Sequence, residues 1–156
     1  KSLQEFTVTY GGTLSESKAI VNYPWNTIDE LVKEVANRAT SFKPTHIVGI
    51  TRGGLIPAVM LSHSFDLPME TLGVSFRDNR ATHHTKFKPI DDARYLIVDD
   101  INDSGTTFKV VSDIFRNRRL IFATSALINK EKSGFDVDFY GEMFYHDDWI
   151  NFPWEK

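Results

Sequence analysis

A run of acids and hydroxyls between Asp99 and Thr107 contains the residue types that most clearly predict chemistry in this chain. Asp99 and Asp100 directly follow the apolar residues 95–98, which are typical of a buried strand. Two carboxylates at the end of such a strand are costly in free energy unless they meet cations or hydroxyl groups. The acid pair therefore indicates a ligand that carries sugar hydroxyls or a hydrated metal ion.

The residues that follow, 103–107, have the sequence Asp-Ser-Gly-Thr-Thr and predict an anion site at the start of a helix. Backbone N–H groups, the positive end of the helix dipole and the hydroxyls suit a phosphate group, and Gly105 lets the backbone approach it closely. The alternative is that the acids cap the helix and that Ser and Thr favour its first turn. Three acids within 99–107 fit that alternative poorly. An acid pair beside a phosphate site suits a ribose 5-phosphate.

The composition is that of one globular domain. The chain has 156 residues, 41% of them hydrophobic, and its lack of cysteine excludes disulfides, thiolate catalysis and Cys-ligated zinc. A net charge of -3 gives no sign of nucleic-acid binding. No apolar run approaches the roughly 20 residues of a membrane span, and no apolar signal segment is visible. We therefore expect a cytoplasmic protein with neither nucleic acid nor membrane as a partner.

Hydrophobic periodicity predicts the elements that must position the acids and hydroxyls. The predicted strands cover residues 6–10, 18–22, 46–50, 70–76, 95–98, 120–128 and 137–143, and the predicted helices cover 26–39 (or 27–39), 55–65 and 107–115. Thr27 is predicted to cap the first helix in a capping box with Glu30, and residues 77–92 are predicted to form a long loop. Alternating strands and helices predict an α/β fold with a parallel sheet, in which ligands bind beyond the carboxyl ends of the strands. Residues 51–54 and 99–107 should therefore converge.

Residues 95–107 resemble the phosphoribosyl pyrophosphate (PRPP) signature of the type I phosphoribosyltransferases. Over residues 23–155 the chain is most similar to the bacterial xanthine-guanine and hypoxanthine-guanine members. The resemblance implies a central, mostly parallel sheet flanked by helices, with a small C-terminal purine-binding hood. It divides the chain into an N-terminal extension or hairpin, 1–22, and a phosphoribosyltransferase domain, 23–156.

The resemblance also implies an activity. Such an enzyme of purine salvage transfers the 5-phosphoribosyl group of PRPP to a 6-oxopurine base (guanine, xanthine or hypoxanthine), with Mg²⁺, and is a homodimer or homotetramer. Asp99 and Asp100 would then bind the ribose hydroxyls and, through them or through water, the metal ion. Asp103 would be the catalytic base near purine N7. The 5-phosphate would lie on residues 103–107, that is on Asp103, Ser104, Gly105, Thr106 and Thr107.

A second loop, Thr51-Arg52-Gly53-Gly54, follows a predicted strand and precedes a helix. Alone it is typical of any tight strand-to-helix turn. Its place resembles the pyrophosphate loop of the family, which often carries a non-proline cis peptide. We therefore predict a cis bond between Thr51 and Arg52, with Thr51, Arg52 and Gly53 binding PRPP.

A third segment, 77–90, is rich in basic residues and is either a solvated surface loop or a lid over an anionic substrate. The family has a flexible catalytic loop here that usually begins with Ser-Tyr, whereas this chain has Ser75-Phe76 followed by Arg77. The missing tyrosine hydroxyl affects how such a loop would close. His83 and His84 have no acid or cysteine at ligand spacing, which disfavours a metal site there.

The C-terminal part carries the implied purine site. Lys130 is either a solvated charge or, by resemblance, the residue that donates to the purine 6-oxo group, which adenine lacks. The ending Asp-Asp-Trp-Ile-Asn-Phe-Pro-Trp-Glu, 147–155, is either an aromatic segment packed on the core or the family's base-binding segment. The resemblance implies that Trp149 stacks on the purine, that the Ile150 backbone reads its C2 substituent, and that Asp147 holds a second Mg²⁺ through water.

Two other classes of protein compete with this reading. One is a regulatory protein of the same fold that senses PRPP or nucleotides, for which the net charge shows no basic nucleic-acid face. The other is a transferase for a pyrimidine acceptor, against which Lys130 and the Trp149-Ile150 pair argue.

Overall fold

The computed structural model describes residues 7–11, 18–77, 80–83 and 88–155. In chain order the strands are β1 (Thr7–Gly11), β2 (Lys18–Asn22), β3 (His46–Thr51), β4 (Met69–Arg77), β5 (Arg80–His83), β6 (Arg94–Asn102), β7 (Ile121–Lys130), β8 (Phe139–Phe144) and β9 (Trp149–Asn151). The helices are α1 (Trp25–Ala39), α2 (Leu55–Phe65) and α3 (Thr106–Asn117), with a short 3₁₀ turn at Thr40–Phe42.

Within the described residues, six strands form a central sheet in the order β5-β4-β3-β6-β7-β8. The pairs β3–β4, β3–β6, β6–β7 and β7–β8 are parallel, and β4–β5 is antiparallel. Side chains alternate across the two faces: Leu96 and Val98 join the core beneath α1 and α2, whereas Tyr95 and Ile97 join the core beneath α3. The predicted mostly parallel α/β sheet with helices on both faces is confirmed.

A second, three-stranded sheet has the order β1-β2-β9. The predicted N-terminal hairpin is present as β1 and β2, which pair antiparallel. Strand β2 also pairs in parallel with β9, so that Ile20, Val21 and Asn22 lie opposite Trp149, Ile150 and Asn151. Residues on both sides of the proposed boundary at 22 thus share one small sheet, which also contains the Trp149–Ile150 segment.

Several predicted bounds need correction. Strand β6 does not end at Val98 but continues through the acids to Asn102, because the long neighbour β7 supplies backbone partners as far as Asn129. Lys130 is the last residue of β7 and does not follow the strand, because it pairs with Phe144 of β8. The predicted loop 77–92 contains β5, whose backbone pairs with β4 even though its residues lack apolar periodicity.

The predicted cap of the first helix is wrong. Helix α1 begins at Trp25, and Pro24 occupies the N-cap position without a side-chain hydrogen bond. Thr27 is the third residue of the helix and its side chain is buried, so it is not the cap. No helix among the described residues is long and apolar enough to cross a membrane.

Helix α1 owes its position to an apolar face that includes Ile28, which is fully buried. We expect Ile28→Ala to lower the free energy of unfolding by about 2–4 kcal/mol, because it removes buried methyl groups and leaves a cavity. Urea unfolding followed by circular dichroism measures the change. Lys33→Ala, on the exposed face of the same helix, is the matched control and should leave stability nearly unchanged. Equal losses in both variants would contradict the packing described.

Candidate functional site

The candidate site lies where β3 and β6 end side by side. A cavity of about 210 Å³ is lined there by Asp99, Asp100, Ile101, Asn102, Asp103, Ser104, Gly105, Thr107 and Phe108. The loop 51–54 packs directly against the acid pair. A Cβ at Gly53 would fall onto the Asp100 carboxylate, and one at Gly54 would lie 2.7 Å from the Ile50 carbonyl oxygen and against that of Val98. Only residues without a side chain allow this approach, so the structure brings the two predicted loops together.

The predicted cis peptide between Thr51 and Arg52 is present. It lies at the end of β3, immediately before the turn that leads into α2. The turn is closed by hydrogen bonds from Gly54 N–H to the Ile50 carbonyl, 2.8 Å, and from Leu55 N–H to the Arg52 carbonyl, 3.0 Å. These bonds hold residues 51–54 as a compact loop beside Asp100.

Asp99 and Asp100 are partly buried at the rim of the cavity. Asp99 Oδ1 accepts a hydrogen bond from Asp100 N–H at 2.9 Å, and Asp100 Oδ1 accepts one from Ile101 N–H at 2.7 Å. Burial, and next the charge of Asp100, raises the pKa of Asp99 well above its ordinary value. Burial likewise raises the pKa of Asp100. The pair is thus held where water stabilises its charge poorly, which favours a ligand bearing hydroxyls or a cation.

The predicted anion loop leads into α3 through Gly105, whose φ of 90° places it in the left-handed region. Glycine adopts this conformation without strain, and as the N-cap residue it leaves the helix start without a side-chain cap. Ser104 Oγ lies 3.0 Å from Thr106 Oγ1 and accepts from Thr106 N–H at 3.3 Å. Hydroxyls and backbone N–H groups therefore cluster at the positive end of the helix dipole, as an anion site requires.

Residues 133–135 support this loop from behind. Gly134 N–H donates to the Ser104 carbonyl at 3.0 Å. The Phe135 ring stacks on Phe108 of α3, with ring centroids 5.6 Å apart. A Cβ at Gly105 would lie only 2.8 Å from Phe135 Cβ. No local sequence pattern predicts this support, because it depends on contacts between residues distant in the chain.

Lys130 and Asp103 meet across the site. Lys130 Nζ lies 3.2 Å from Asp103 Oδ1, with the lysine side chain 9% exposed and the aspartate side chain 63% exposed. Lys130 Nζ also donates to the Asp148 carbonyl oxygen at 3.2 Å. One buried cation thus connects the anion loop to the segment that carries Trp149.

Trp149 and Ile150 differ in exposure. The Trp149 side chain is 64% exposed, whereas Ile150 is buried in the core. Asp148, which sequence reasoning did not single out, accepts a hydrogen bond from Ala19 N–H of β2 at 3.2 Å on its Oδ1. Its acidic side chain therefore connects the segment that carries Trp149 to β2.

The remaining predicted residues are only partly covered by the structure. Ser75 is partly buried in β4. Phe76 and Arg77 belong to the same strand, but their side chains lie outside the described part, as do residues 78–79 and 84–87 of the predicted lid. Within the described residues of this segment, β5 pairs antiparallel with β4.

The described residues contain no cluster of three or more histidines and acids that could hold a metal ion by itself. Asp147 lies 3.9 Å from Lys132 Nζ in an exposed ion pair. The donor set at Asp99 and Asp100 instead suits a magnesium ion that keeps water and takes further ligands from a phosphorylated substrate, as Mg²⁺ commonly does.

The close approach of Gly54 to β6 predicts that a larger residue at this position lowers stability. We expect Gly54→Ala to lower the free energy of unfolding by about 1–3 kcal/mol, because its Cβ would press on the backbone of Ile50 and Val98. Gly134→Ala is the matched control, since its Cβ would lie 3.3 Å from the flexible end of Lys109 and in ordinary contact, at 3.6 Å, with the Ser104 carbonyl oxygen. Thermal unfolding of both variants checks the difference. If Gly134→Ala were the more damaging, the described approach of the loops would be wrong.

The raised pKa of Asp99 generates a second prediction. Between the unfolded value of about 3.9 and the raised native value, the native state holds a proton that the unfolded state has lost, so stability falls as pH rises. Asp99→Asn removes this penalty while retaining the oxygen that accepts from Asp100 N–H. We expect the variant to be more stable than the wild type at neutral pH, with the difference vanishing near pH 4.

Urea unfolding between pH 4 and pH 8 measures this difference. The control is Asp113→Asn, whose carboxylate is exposed on α3. A stabilisation by Asp99→Asn that is independent of pH, or a destabilisation at pH 8, would contradict the burial of charge at this position.

Comparisons with known proteins agree with this geometry. The family model of the phosphoribosyl transferase domain matches residues 25–155. A xanthine-guanine phosphoribosyltransferase of Gluconobacter oxydans is 31% identical, over 92% of this chain and 90% of that protein. The crystal structure of a purine phosphoribosyltransferase from Pyrococcus horikoshii superposes with a TM-score of 0.78 at 31% identity, covering 88% of this chain and 94% of that one. The chain therefore belongs to the phosphoribosyltransferase family of enzymes.

Proposed function

We propose that this protein transfers the 5-phosphoribosyl group of PRPP to a 6-oxopurine base in purine salvage, releasing a nucleoside 5'-monophosphate and pyrophosphate. The observation that carries the proposal is the meeting of Asp103 and Lys130, 3.2 Å apart, between the anion loop and the exposed Trp149 segment. The names of the relatives, a xanthine-guanine and a purine phosphoribosyltransferase, support the same acceptor class.

In this proposal PRPP lies along the ends of β3 and β6. Its 5-phosphate binds the 103–107 loop, where the uncapped start of α3 offers N–H donors and hydroxyls. Its ribose hydroxyls donate to Asp99 and Asp100, which relieves the desolvation of these acids. Its pyrophosphate binds the loop of Thr51, Arg52 and Gly53, which already touches Asp100 through Gly53.

The base lies between Trp149 and Lys130. Stacking on the exposed indole contributes binding energy without hydrogen bonds, and the backbone of Ile150 reads the C2 substituent. An ammonium group has three N–H donors, and Lys130 uses two of them on Asp103 and the Asp148 carbonyl. The third can donate to a 6-oxo group, whereas the amino group of adenine offers no acceptor there.

Asp103 is the proposed general base. Its carboxylate is exposed to the cavity side, and Lys130 holds it beside the base site. The purine nitrogen attacks C1 of the ribose as the bond from C1 to the pyrophosphate oxygen breaks, and the pyrophosphate leaves with the bonding electrons. Asp103 takes the proton from N7, so that the purine is neutral in the product.

Mg²⁺ is the proposed cofactor. Asp99 and Asp100 would hold it through ribose hydroxyls or water, and Asp147 would hold a second ion through water. A bound magnesium ion neutralises the charge of the departing pyrophosphate. A lid formed by 77–90, a homodimeric or homotetrameric assembly and a cytoplasmic location complete the proposal.

The deciding experiment measures pyrophosphate release with PRPP, Mg²⁺ and each of guanine, hypoxanthine, xanthine, adenine and uracil. Release with the 6-oxopurines alone is expected, because Lys130 needs an acceptor on the base. Release with uracil would show that the acceptor base is a pyrimidine. Binding of PRPP without release from any base would favour a regulatory protein that senses PRPP.

The same assay tests the general base. Asp103→Asn retains the shape of the side chain but removes its ability to accept a proton, so kcat should fall about 10²–10⁴-fold with little change in the KM for PRPP. Asp113→Asn on the outside of α3 should be as active as the wild type. A fully active Asp103→Asn variant would remove Asp103 from the mechanism.

A further inference from the structure

The residues immediately before Asp103 and Lys130 in the chain form a second pair, made of two buried side-chain amides. Asn102 ends β6 and Asn129 lies opposite it on β7, in register. Their side chains are 1% and 5% exposed. Neither residue has a place in the mechanism proposed above, and neither has an apolar side chain suited to its buried position.

The two amides are joined by a hydrogen bond from Asn102 Nδ2 to Asn129 Oδ1, 2.8 Å long. Asn102 Nδ2 also donates to the Phe135 carbonyl at 2.7 Å. Asn102 Oδ1, in contrast, is buried and has no partner among the described residues. A buried amide whose oxygen is unsatisfied is a cost to folding, which a pair of apolar residues at these positions would avoid.

The position of the two asparagines indicates a use for buried amides that are costly to stability. Each asparagine directly precedes one member of the ion pair, Asn102 before Asp103 and Asn129 before Lys130. The hydrogen bond between the two side-chain amides joins the ends of β6 and β7. It lies at the last register position before the chain leaves β6 and enters the anion loop. It therefore limits sliding and spreading of β6 against β7 where the two reacting side chains originate.

We infer that Asn102 and Asn129 are positioning residues that set the separation of Asp103 from Lys130, and with it the alignment of the base's N7 and 6-oxo groups. The inference rests on the proposed function and deepens it. Through the Phe135 carbonyl, Asn102 also connects this alignment to residues 133–135, which support the phosphate loop. The Asn102 side chain thus connects, through its two hydrogen bonds, the proposed base site to the proposed phosphate site.

The test separates positioning from mere stability by using leucine substitutions, because leucine branches at Cγ as asparagine does but has no polar atoms. Asn129→Leu leaves one N–H of the buried Asn102 amide without its acceptor and should lower stability. The double variant Asn102→Leu, Asn129→Leu removes both amides, while the Phe135 carbonyl keeps the hydrogen bond that Ser133 Oγ donates to it. The variant should recover much of that stability, because replacing both partners by apolar groups can be nearly neutral. Thermal unfolding measures both effects.

Activity is expected to behave differently from stability. In the double variant kcat/KM for guanine should remain about 10–100-fold below the wild type, because displacement of reacting groups by about 1 Å can cost that much. The Kd for PRPP should stay within about threefold of the wild-type value, since Asp99, Asp100 and the phosphate loop are retained. Ser112→Ala, which alters another buried and unpartnered oxygen on α3, is the control and should leave kcat/KM unchanged.

Each outcome is decisive. Recovery of both stability and kcat/KM in the double variant would overturn the inference, since the amides would then be structural only. Where the double variant does not fold, Asn129→Leu assayed below its Tm gives the same comparison: a loss confined to the base supports positioning, and an equal loss for PRPP binding opposes it. If the wild-type protein releases no pyrophosphate, the proposed function and this inference both fail. If the wild type is active and the double variant recovers its activity, only this inference fails.

Discussion

The burial of two neighbouring carboxylates at the end of β6 is the constraint on which the rest of the site depends. Asp99 and Asp100 lie where solvation of their charge is poor, and their pKa values are raised for that reason. The acids cannot be covered by bulky side chains and still reach a ligand, so the neighbouring loop approaches them with Gly53 and Gly54. The sheet tolerates this arrangement because β6 is central, with β3 and β7 paired to its two sides. Rigid backbone, not local sequence preference, holds the charges in place.

A single cation then connects this centre to the segment that carries Trp149. Lys130 reaches Asp103 on one side and the Asp148 carbonyl on the other. Asp148 in turn binds the backbone of β2 through its carboxylate. The electrostatics of the site and the attachment of the small sheet are therefore parts of one chain of contacts, in which loss of the ammonium would leave both the acid and the carbonyl without this donor.

Much of this arrangement was predictable from the sequence, because its signals are local. The bounds of α2, the N-terminal hairpin and the anion loop at Gly105 each follow from periodicity or from residue type, and the cis bond after Thr51 followed from family resemblance. What could not be predicted depends on partners distant in sequence. The polar residues of β6 beyond Val98 broke the apolar pattern, although pairing with β7 keeps them in a strand. Thr27 had the residue type of a cap but is buried, and the link between Asn102 and Asn129 exists only once the register of two strands is known.

The pairing of β2 with β9 has a consequence for the newly made chain. Ala19 and Asp148, which are hydrogen-bonded, are 129 positions apart, so a ribosome completes the central sheet before it releases the strand that completes the small one. Contacts of such long sequence separation form late and slowly. Until β9 emerges, the side of β2 that will receive it is an open strand edge, the kind of backbone surface that pairs readily with other chains. The segment that carries Trp149 therefore also covers the open edge of β2 against pairing with other chains.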